Sequence, residues 1–431
     1  MTIRERGVGG LDRRAFLKRL GTGAAALAGV AAARPAAAQD ALLESLIQQN
    51  QRGEFDPGFD SASRTIHMPK ASLPTLSPAT AATTEQAIAR YEGIVTMGGW
   101  PTVPPGDRLR LGMRNQAVAA LRQRLMTAGD LGAHGGVSDV YDSYVEAAVR
   151  RFQARHGISV DGVVREQTFN ALNISAEARL NQLKINVTRL RAFANPQAQA
   201  PRFVTCNIPA AQIEAIDSGT VVSRHTAVVG KPDRASPEIN SKINEINFNP
   251  FWTVPVSIVR RDLIPKMQAE PDYLTKNRIR IFDPRGTELT PSAINWYSEE
   301  AVNYMFKQDP GDFNSLGSIR INFPSKDGVY MHDTPAKNLF GEDQRFHSSG
   351  CVRVQNVREL VNWLLIETPG WTRAEIDEVI KTGERKDARL RKPVPLHWVY
   401  VTAWATPDGI VQFREDIYNH DGLGSVAATR G

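Results

Sequence analysis

Cysteine is scarce in this 431-residue chain, which has only Cys206 and Cys351. Two thiols can make one disulfide in an exported protein, but their settings differ. Cys206 lies in the apolar run FVTCNIP and reads as a small buried hydrophobe on a strand. Cys351 sits among Ser, Gly and His in HSSGCVRV, where a thiol is accessible. Long hydrophobic runs are missing too, and none is long enough to span a bilayer. No internal repeat or coiled-coil heptad is found, nor an HExxH metal motif. Basic excess is missing from most of the chain. Of a formal net charge of +6, residues 1–38 carry +5, with seven Arg and Lys against Glu5 and Asp12. The remainder is too near neutral for nucleic-acid binding.

That basic start has three parts. Arg13-Arg14-Ala15-Phe16-Leu17-Lys18 precedes a short apolar stretch, Gly21 to Ala33, and then Ala36-Ala37-Ala38. This is the layout of an export signal, and the paired arginines resemble a twin-arginine signal read by a receptor. The expectation is a soluble protein exported to the periplasm, cut after Ala38, with no stable membrane insertion.

Residues 39–84, rich in Gln, Ser, Pro and Thr, read as linker or extension. Residues 85–106 form a scaffold segment with a short helix at Glu85–Ile94. Residues 107–173 form a compact three-helix unit: Val118, Leu121 and Leu125 recur at helical spacing before Gly129, and Val145, Val149 and Phe152 before Gly157. A linking helix, Asn181–Arg191, lies within 174–201. From Arg202 strands are expected at Phe203–Ile208, Thr220–Val229, Ile243–Val254, Ser318–Phe323, Gly328–His332 and Trp398–Trp404. Asp408-Gly409 turns the chain toward Ile410–Phe413. A helix covers Val357–Leu365, and the polar stretch 257–315 reads as an inserted, mainly helical lid. The fold class is therefore multidomain α+β, with a small helical module and a mainly-β domain at 202–420. Residues 421–431 are a tail.

The chemistry concentrates in one segment. His332 ends a strand in VYMHDTP, and Cys351 follows nineteen residues later. A thiol beside an imidazole is an acyl-transfer arrangement: the thiolate attacks and the imidazole moves protons. His347, four residues before Cys351, is a second candidate base. The rigid strand end favours His332, leaving His347 at the pocket mouth. The backbone N–H of Cys351, with that of Gly350 or Ser349, is a candidate oxyanion hole. Arg353 is suited either to hold a carboxylate or to clamp the turn. An unperturbed thiol is about 3% ionised at pH 7. A nearby imidazolium and the amino end of the helix after Gln355 are expected to lower the pKa of Cys351.

The segment GVYMHDTPAKNLFGEDQRFHSSGCVRVQN resembles the catalytic core of L,D-transpeptidases. CNIPAAQIEAI, AVVGKPDRASPEINSKINEINFNPFWTVPVSI and DPGDFNSLGSIRINFP extend the resemblance over roughly residues 85–420. LRLG, LRQRL and VYDSYVEAAVRRFQARHG resemble a three-helix peptidoglycan-binding module. Most of the family has Ser-His-Gly-Cys at the nucleophile. This chain has Ser348-Ser349-Gly350-Cys351, as in the large branch with a helical module and lid. The resemblance implies Cys351 as nucleophile and His332 as base, with Arg353, Ser349 and His347 contacting substrate. Gly317 and Ser318 would border the donor site. It implies a tetrapeptide stem as donor, an amine of a neighbouring stem as acceptor, and cross-links between third-position residues. No cofactor is implied, and acylation by carbapenem-type inhibitors is. The rivals are an L,D-carboxypeptidase or a wall-protein anchoring enzyme using the same residues. A zinc hydrolase with His332, His347 and Cys351 as ligands and a non-catalytic wall-binding protein are more distant.

Overall fold

The computed structural model describes residues 72–132, 136–193 and 200–422. The expected export signal at 1–38, most of the 39–84 extension and nearly all of the tail lie outside these residues.

Helix α1 spans Pro78–Thr96, seven residues earlier than the apolar pattern predicts. Ser77 caps it and Pro78 occupies its first turn, where a missing N–H costs nothing. Thr80 and Thr84, in a stretch that reads as linker, are buried and hydrogen-bonded, and Thr83 is half-buried. Thr84 Oγ1 accepts from Ala405 N at 2.9 Å, and Thr83 Oγ1 donates to Ala405 O at 2.7 Å. Helices α2 (Gln116–Ala128), α3 (Ser143–His156) and α4 (Glu166–Asn173) follow as predicted. Asn115 and Asp142 cap the first two, and Gly129 and Gly157 end them in the left-handed conformation. Val118, Leu121, Leu125, Val145, Val149 and Phe152 are fully buried in one core. Each is worth about 1.5–3 kcal/mol against exposure. Helix α5 (Ala176–Phe193) is longer than the predicted linking helix and packs on α1.

The mainly-β part begins with β1 (Arg202–Asn207), β2 (Gln212–Asp217), β3 (Thr220–Gly230) and β4 (Ile239–Phe248). Chain positions 252–308 supply β5 (Trp252–Thr253), β6 (Ile279–Phe282), β7 (Glu288–Leu289) and β8 (Met305–Gln308). Then come β9 (Ile319–Asn322), β10 (Met331–His332), β11 (Phe346–Ser348), β12 (Val352–Val354) and β13 (Lys386–Val399). The main sheet runs β11-β3-β12-β10-β9-β4-β13-β1-β2, and pairing of β2 with β3 closes it into a barrel-like ring. Ile246, Phe248, Ile319, Ile321, Met331, Val352 and Val354 face one core, shared with helix α6 (Val357–Leu364) and Ile376. Cys206 is fully buried in that core and both cysteines are free thiols.

The insertion has the expected helical segments, Val256–Ile258, Val259–Leu263, Ile264–Ala269 and Tyr273–Lys276. It adds what was not expected, a four-stranded sheet β5-β8-β6-β7, and a separate core that includes Val259, Leu263, Ile281 and Phe306. The predicted Trp398–Trp404 strand is split. Val399 ends β13, while Ala403–Ala405 (β14) pairs with Val411–Phe413 (β15) in a hairpin packed on α1 and α5. Gly409 turns that hairpin as expected, with φ +86°. No described helix is long and apolar enough to cross a membrane.

Candidate active site

Strand register assembles the site. β10 runs parallel to β12, with Met331 opposite Val352 and His332 opposite Arg353. Side chains alternate between faces of a sheet. Because Met331, Val352 and Val354 enter the core, His332, Cys351 and Arg353 share the opposite face. His332 on β10 and Cys351, the residue just before β12, are thus diagonal neighbours. Antiparallel pairing of β9 with β10 sets Arg320 opposite His332 on that same face, and Tyr330 lies two residues before His332. The Tyr330 and His332 rings are 5.7 Å apart.

The imidazole is fixed in one tautomer. His332 is 5% exposed, and its Nδ1 lies 2.5 Å from the Asp333 carbonyl. A carbonyl only accepts, so Nδ1 carries the hydrogen and Nε2 keeps its lone pair. The Asp333 carboxylate accepts from Ser318 N and Ser318 Oγ, both at 3.0 Å, and pairs with Lys337 Nζ at 2.5 Å. Gly317 is required there: its φ is +57°, and a Cβ would fall 2.5 Å from Asp333 Oδ2. Gly317 and Ser318 therefore brace the end of the histidine strand. With Asp333 and Lys337 they line a cavity of about 500 Å³ beyond it.

The nucleophile turn is held from several sides. Ser348 is buried; its hydroxyl donates to Cys351 O at 2.5 Å and accepts from Gly350 N at 3.2 Å. Ser236 Oγ donates to Gly350 O at 2.8 Å. Gly350 sits at φ +110°, open to glycine alone. Its N–H is thus engaged by Ser348, and of the two expected oxyanion donors only Cys351 N–H makes no hydrogen bond to another described residue. Sequence reading passed over Ser348 and Ser236, whose short hydroxyls next to a glycine turn were the available signal.

Electrostatics departs from expectation. Burial, then the Arg353 guanidinium, drive His332 from 6.5 down to about 3, so the resting imidazole is neutral. Burial also pushes the Cys351 thiol up, against the Tyr330 amide and hydroxyl and the Arg320 and Arg353 charges, which favour thiolate. No imidazolium stands beside the sulfur. The resting pair is thiol and neutral imidazole, so any attack by the sulfur would have to be accompanied by proton transfer. Alkylation of Cys351 by iodoacetamide, read by peptide mass, should accordingly climb with pH to a midpoint above the roughly 8.5 of a free thiol. A midpoint below 8 would show a preformed thiolate and contradict the burial effect.

His347 does not join the group. Its Nε2 is 2.7 Å from Glu342 Oε2 and 2.9 Å from Gln344 O, on an exposed part of β11. Among the described residues no three His, Cys, Asp or Glu side chains gather as a metal site needs. Ser349 faces the insertion: Arg234 Nη1 donates to its Oγ at 3.0 Å while pairing with Asp262 at 2.5 and 3.0 Å. A cavity of about 240 Å³ between insertion and turn is lined by Arg234, Ser257, Ile258, Arg261, Ser349 and Gly350. Trp252 of β5 acts on the hydroxyl of Tyr330, so the insertion also reaches the group around the sulfur.

Known proteins place this geometry in a family. Residues 201–376 match the L,D-transpeptidase catalytic domain family, YkuD, and residues 114–172 match the family described as "Putative peptidoglycan binding domain". Over 249 residues the chain is 35% identical to a "Putative L,D-transpeptidase" of Haemophilus influenzae, covering 57% of this chain and 50% of that protein. The chain thus spans half the length of that relative. Among solved structures, an L,D-transpeptidase from Xylanimonas cellulosilytica aligns at 16% identity and TM-score 0.22, covering 69% of this chain and 99% of the other. "LD transpeptidase LdtMt1 in complex with imipenem" aligns at 14% identity and TM-score 0.19, covering 46% and 59%. Alignments at such scores add nothing to the sequence match. The family matches and the 35% identity together make residues 201–376 similar to the L,D-transpeptidase catalytic domain and residues 114–172 similar to the family described as a putative peptidoglycan binding domain.

Proposed function

We propose that this protein is a cysteine-dependent L,D-transpeptidase that acts on peptidoglycan stem peptides. The observation that carries the reading is the placement of Cys351 and His332 as diagonal neighbours on one sheet face, with His332 Nε2 free to take a proton. In the proposed course, a tetrapeptide stem presents the carbonyl between its third residue and its terminal D-alanine to Cys351. Sγ attacks, its proton passes to Nε2, and the oxyanion is met by Cys351 N–H. His332 returns the proton to the departing D-alanine amine, leaving a thioester. An amine of a neighbouring stem then attacks the thioester carbonyl; the C–S bond breaks, the amine proton passes by way of His332 Nε2 to the departing sulfur, and a cross-link between third-position residues is left. Because no ATP is available outside the cytoplasm, the donor peptide bond has to supply the energy that the thioester keeps.

Arg353, opposite His332, is suited to a substrate carboxylate, and Ser349 lines the smaller cavity. His347 is left at the rim. The insertion, reaching the turn through Arg234 and Asp262, would exclude water and favour amine over hydrolysis. The helical module would hold the enzyme to the wall, and the basic start fits periplasmic delivery. Incubation of the purified protein with a disaccharide-tetrapeptide, followed by mass spectrometry, should show an acyl adduct on the Cys351 peptide with loss of D-alanine. A carbapenem should label the same peptide. A labelled Cys206, or no adduct while product forms, would overturn the reading. Release of tripeptide alone would instead mark an L,D-carboxypeptidase with the same site.

A further inference from the structure

Three adjoining strands carry an arrangement that the sequence did not suggest. Arg320 on β9, His332 on β10 and Arg353 on β12 stand in one row across the sheet. Two guanidiniums thus flank one neutral imidazole. Neither arginine forms an ion pair with any described carboxylate, and the Nε of each is buried with no hydrogen-bond partner. The one carboxylate on the strand next to Arg320 is Glu245 on β4, and it is otherwise engaged. Glu245 Oε1 accepts from Asn247 at 3.0 Å and from Asn322 at 3.4 Å, and its Oε2 faces Arg389 at 4.0 Å. The other nearby carboxylate, Asp333, is turned to Ser318 and Lys337. Strands β9, β10 and β12 contain no acidic residue.

Taking a charge out of water without a partner is costly, and proteins tolerate it chiefly where a ligand supplies the missing charge. A guanidinium matches a carboxylate by two parallel N–H bonds. The position of Arg320 is also fixed: it lies over the Tyr330 ring, with Cζ 4.2 Å from the centroid. That stacking orients the fork and leaves its hydrogens unused. We propose that Arg320 is a substrate-binding residue, forming with Arg353 a two-guanidinium cradle for a carboxylate of the donor peptide. The inference rests on the stem-peptide reading above and extends it to a residue outside the nucleophile motif. It has a consequence for the base. Both arginine charges help to hold the His332 pKa down. A bound carboxylate offsets them and makes Nε2 a better proton acceptor only once donor is in place.

A donor stem offers two carboxylates: the terminal one on D-alanine, and the side-chain one of a diaminopimelate at position three. Steady-state kinetics of the full chain and of Arg320→Gln should therefore use three donors: the diaminopimelate tetrapeptide, its terminal amide, and the tetrapeptide with lysine at position three. With the parent donor, Arg320→Gln should lower kcat/KM by about 10- to 100-fold, the range for a charged hydrogen bond. With the donor lacking the carboxylate that Arg320 holds, wild type and variant should differ by less than about threefold. Arg320→Lys should recover part of the loss. Thermal melting adds a readout that a structural role would move: Arg320→Met should melt no lower than wild type. Equal loss on all three donors, or no loss on any, would overturn the inference while leaving the transpeptidase reading intact. Failure of the wild type on every donor would overturn that reading and this one together.

Discussion

Cys351→Ala is expected to abolish turnover of the tetrapeptide donor, to below roughly 10⁻⁴ of the wild-type rate. Cys351→Ser should be nearly as inert, and the reason is specific to this site. A hydroxyl is a far weaker acid than a thiol and needs a strong base to attack a carbonyl. The base here is a buried imidazole pushed down to about 3 between two guanidiniums. It can take a proton from a thiol while the carbon–sulfur bond forms, but it is a poor partner for serine. The fold should be indifferent to either change. Cys351 is only partly buried at the margin of the core, so melting temperatures should stay within a few degrees of wild type. Product analysis by liquid chromatography and mass spectrometry, with a melting curve on the same samples, separates chemistry from folding. Turnover of the serine variant above about 1% would show that the sulfur is not essential.

The chemistry was more legible in sequence than the architecture that supports it. A histidine at a strand end and a cysteine after a glycine stand out as candidates by residue type alone, and the helical module shows itself by spacing and by Gly129 and Gly157. Three kinds of information were hidden. Register was one: Arg320 becomes a neighbour of His332 only when β9 pairs with β10, and IRIN read alone is an ordinary alternating strand. Strands with mixed signals were another. β13 (KDARLRKPVPLHWV) carries two prolines, normally a mark of an edge, yet it lies between β4 and β1. A register shift between Arg389 and Val394 accommodates the break. The short strands of the insertion, two to four residues each, offered too little periodicity to be told from loops.

Burial was the third, and it reversed the expected charge state of the site. Exposure of an imidazole or a thiol depends on what packs over it, and in this chain those groups come from far away in sequence. Trp252, which acts on the Tyr330 hydroxyl, belongs to the insertion, and Ser236, which holds Gly350 O, to the segment after β3. A site assembled from such distant segments is dry enough to keep both acid and base uncharged. On the proposed course the thiol and imidazole exchange one proton within the attack itself rather than standing as an ion pair beforehand.

His332→Asn tests that account most directly. The asparagine amide can take the place of Nδ1 and donate to the Asp333 carbonyl, but nothing in it replaces Nε2. Turnover should fall by about 10²- to 10⁴-fold, the usual worth of a positioned general acid–base, while carbapenem or donor binding before acylation is largely kept. The same variant should change stability in a pH-dependent way. In wild type His332 titrates at about 3 when folded, against 6.5 for an ordinary histidine. As pH falls below about 6.5, the unfolded chain takes up a proton that the folded one refuses. Wild type therefore loses stability toward pH 3, at up to about 1.4 kcal/mol for each pH unit. His332→Asn lacks that loss. His225, held down to about 4 by its own burial, is present in both proteins and cancels. Urea unfolding at pH 7.5 and pH 4.5 should thus move the variant's midpoint upward relative to wild type on acidification. If both midpoints fall in parallel, His332 takes up its proton over the same pH range folded as unfolded, and the depression of its pKa by burial is wrong.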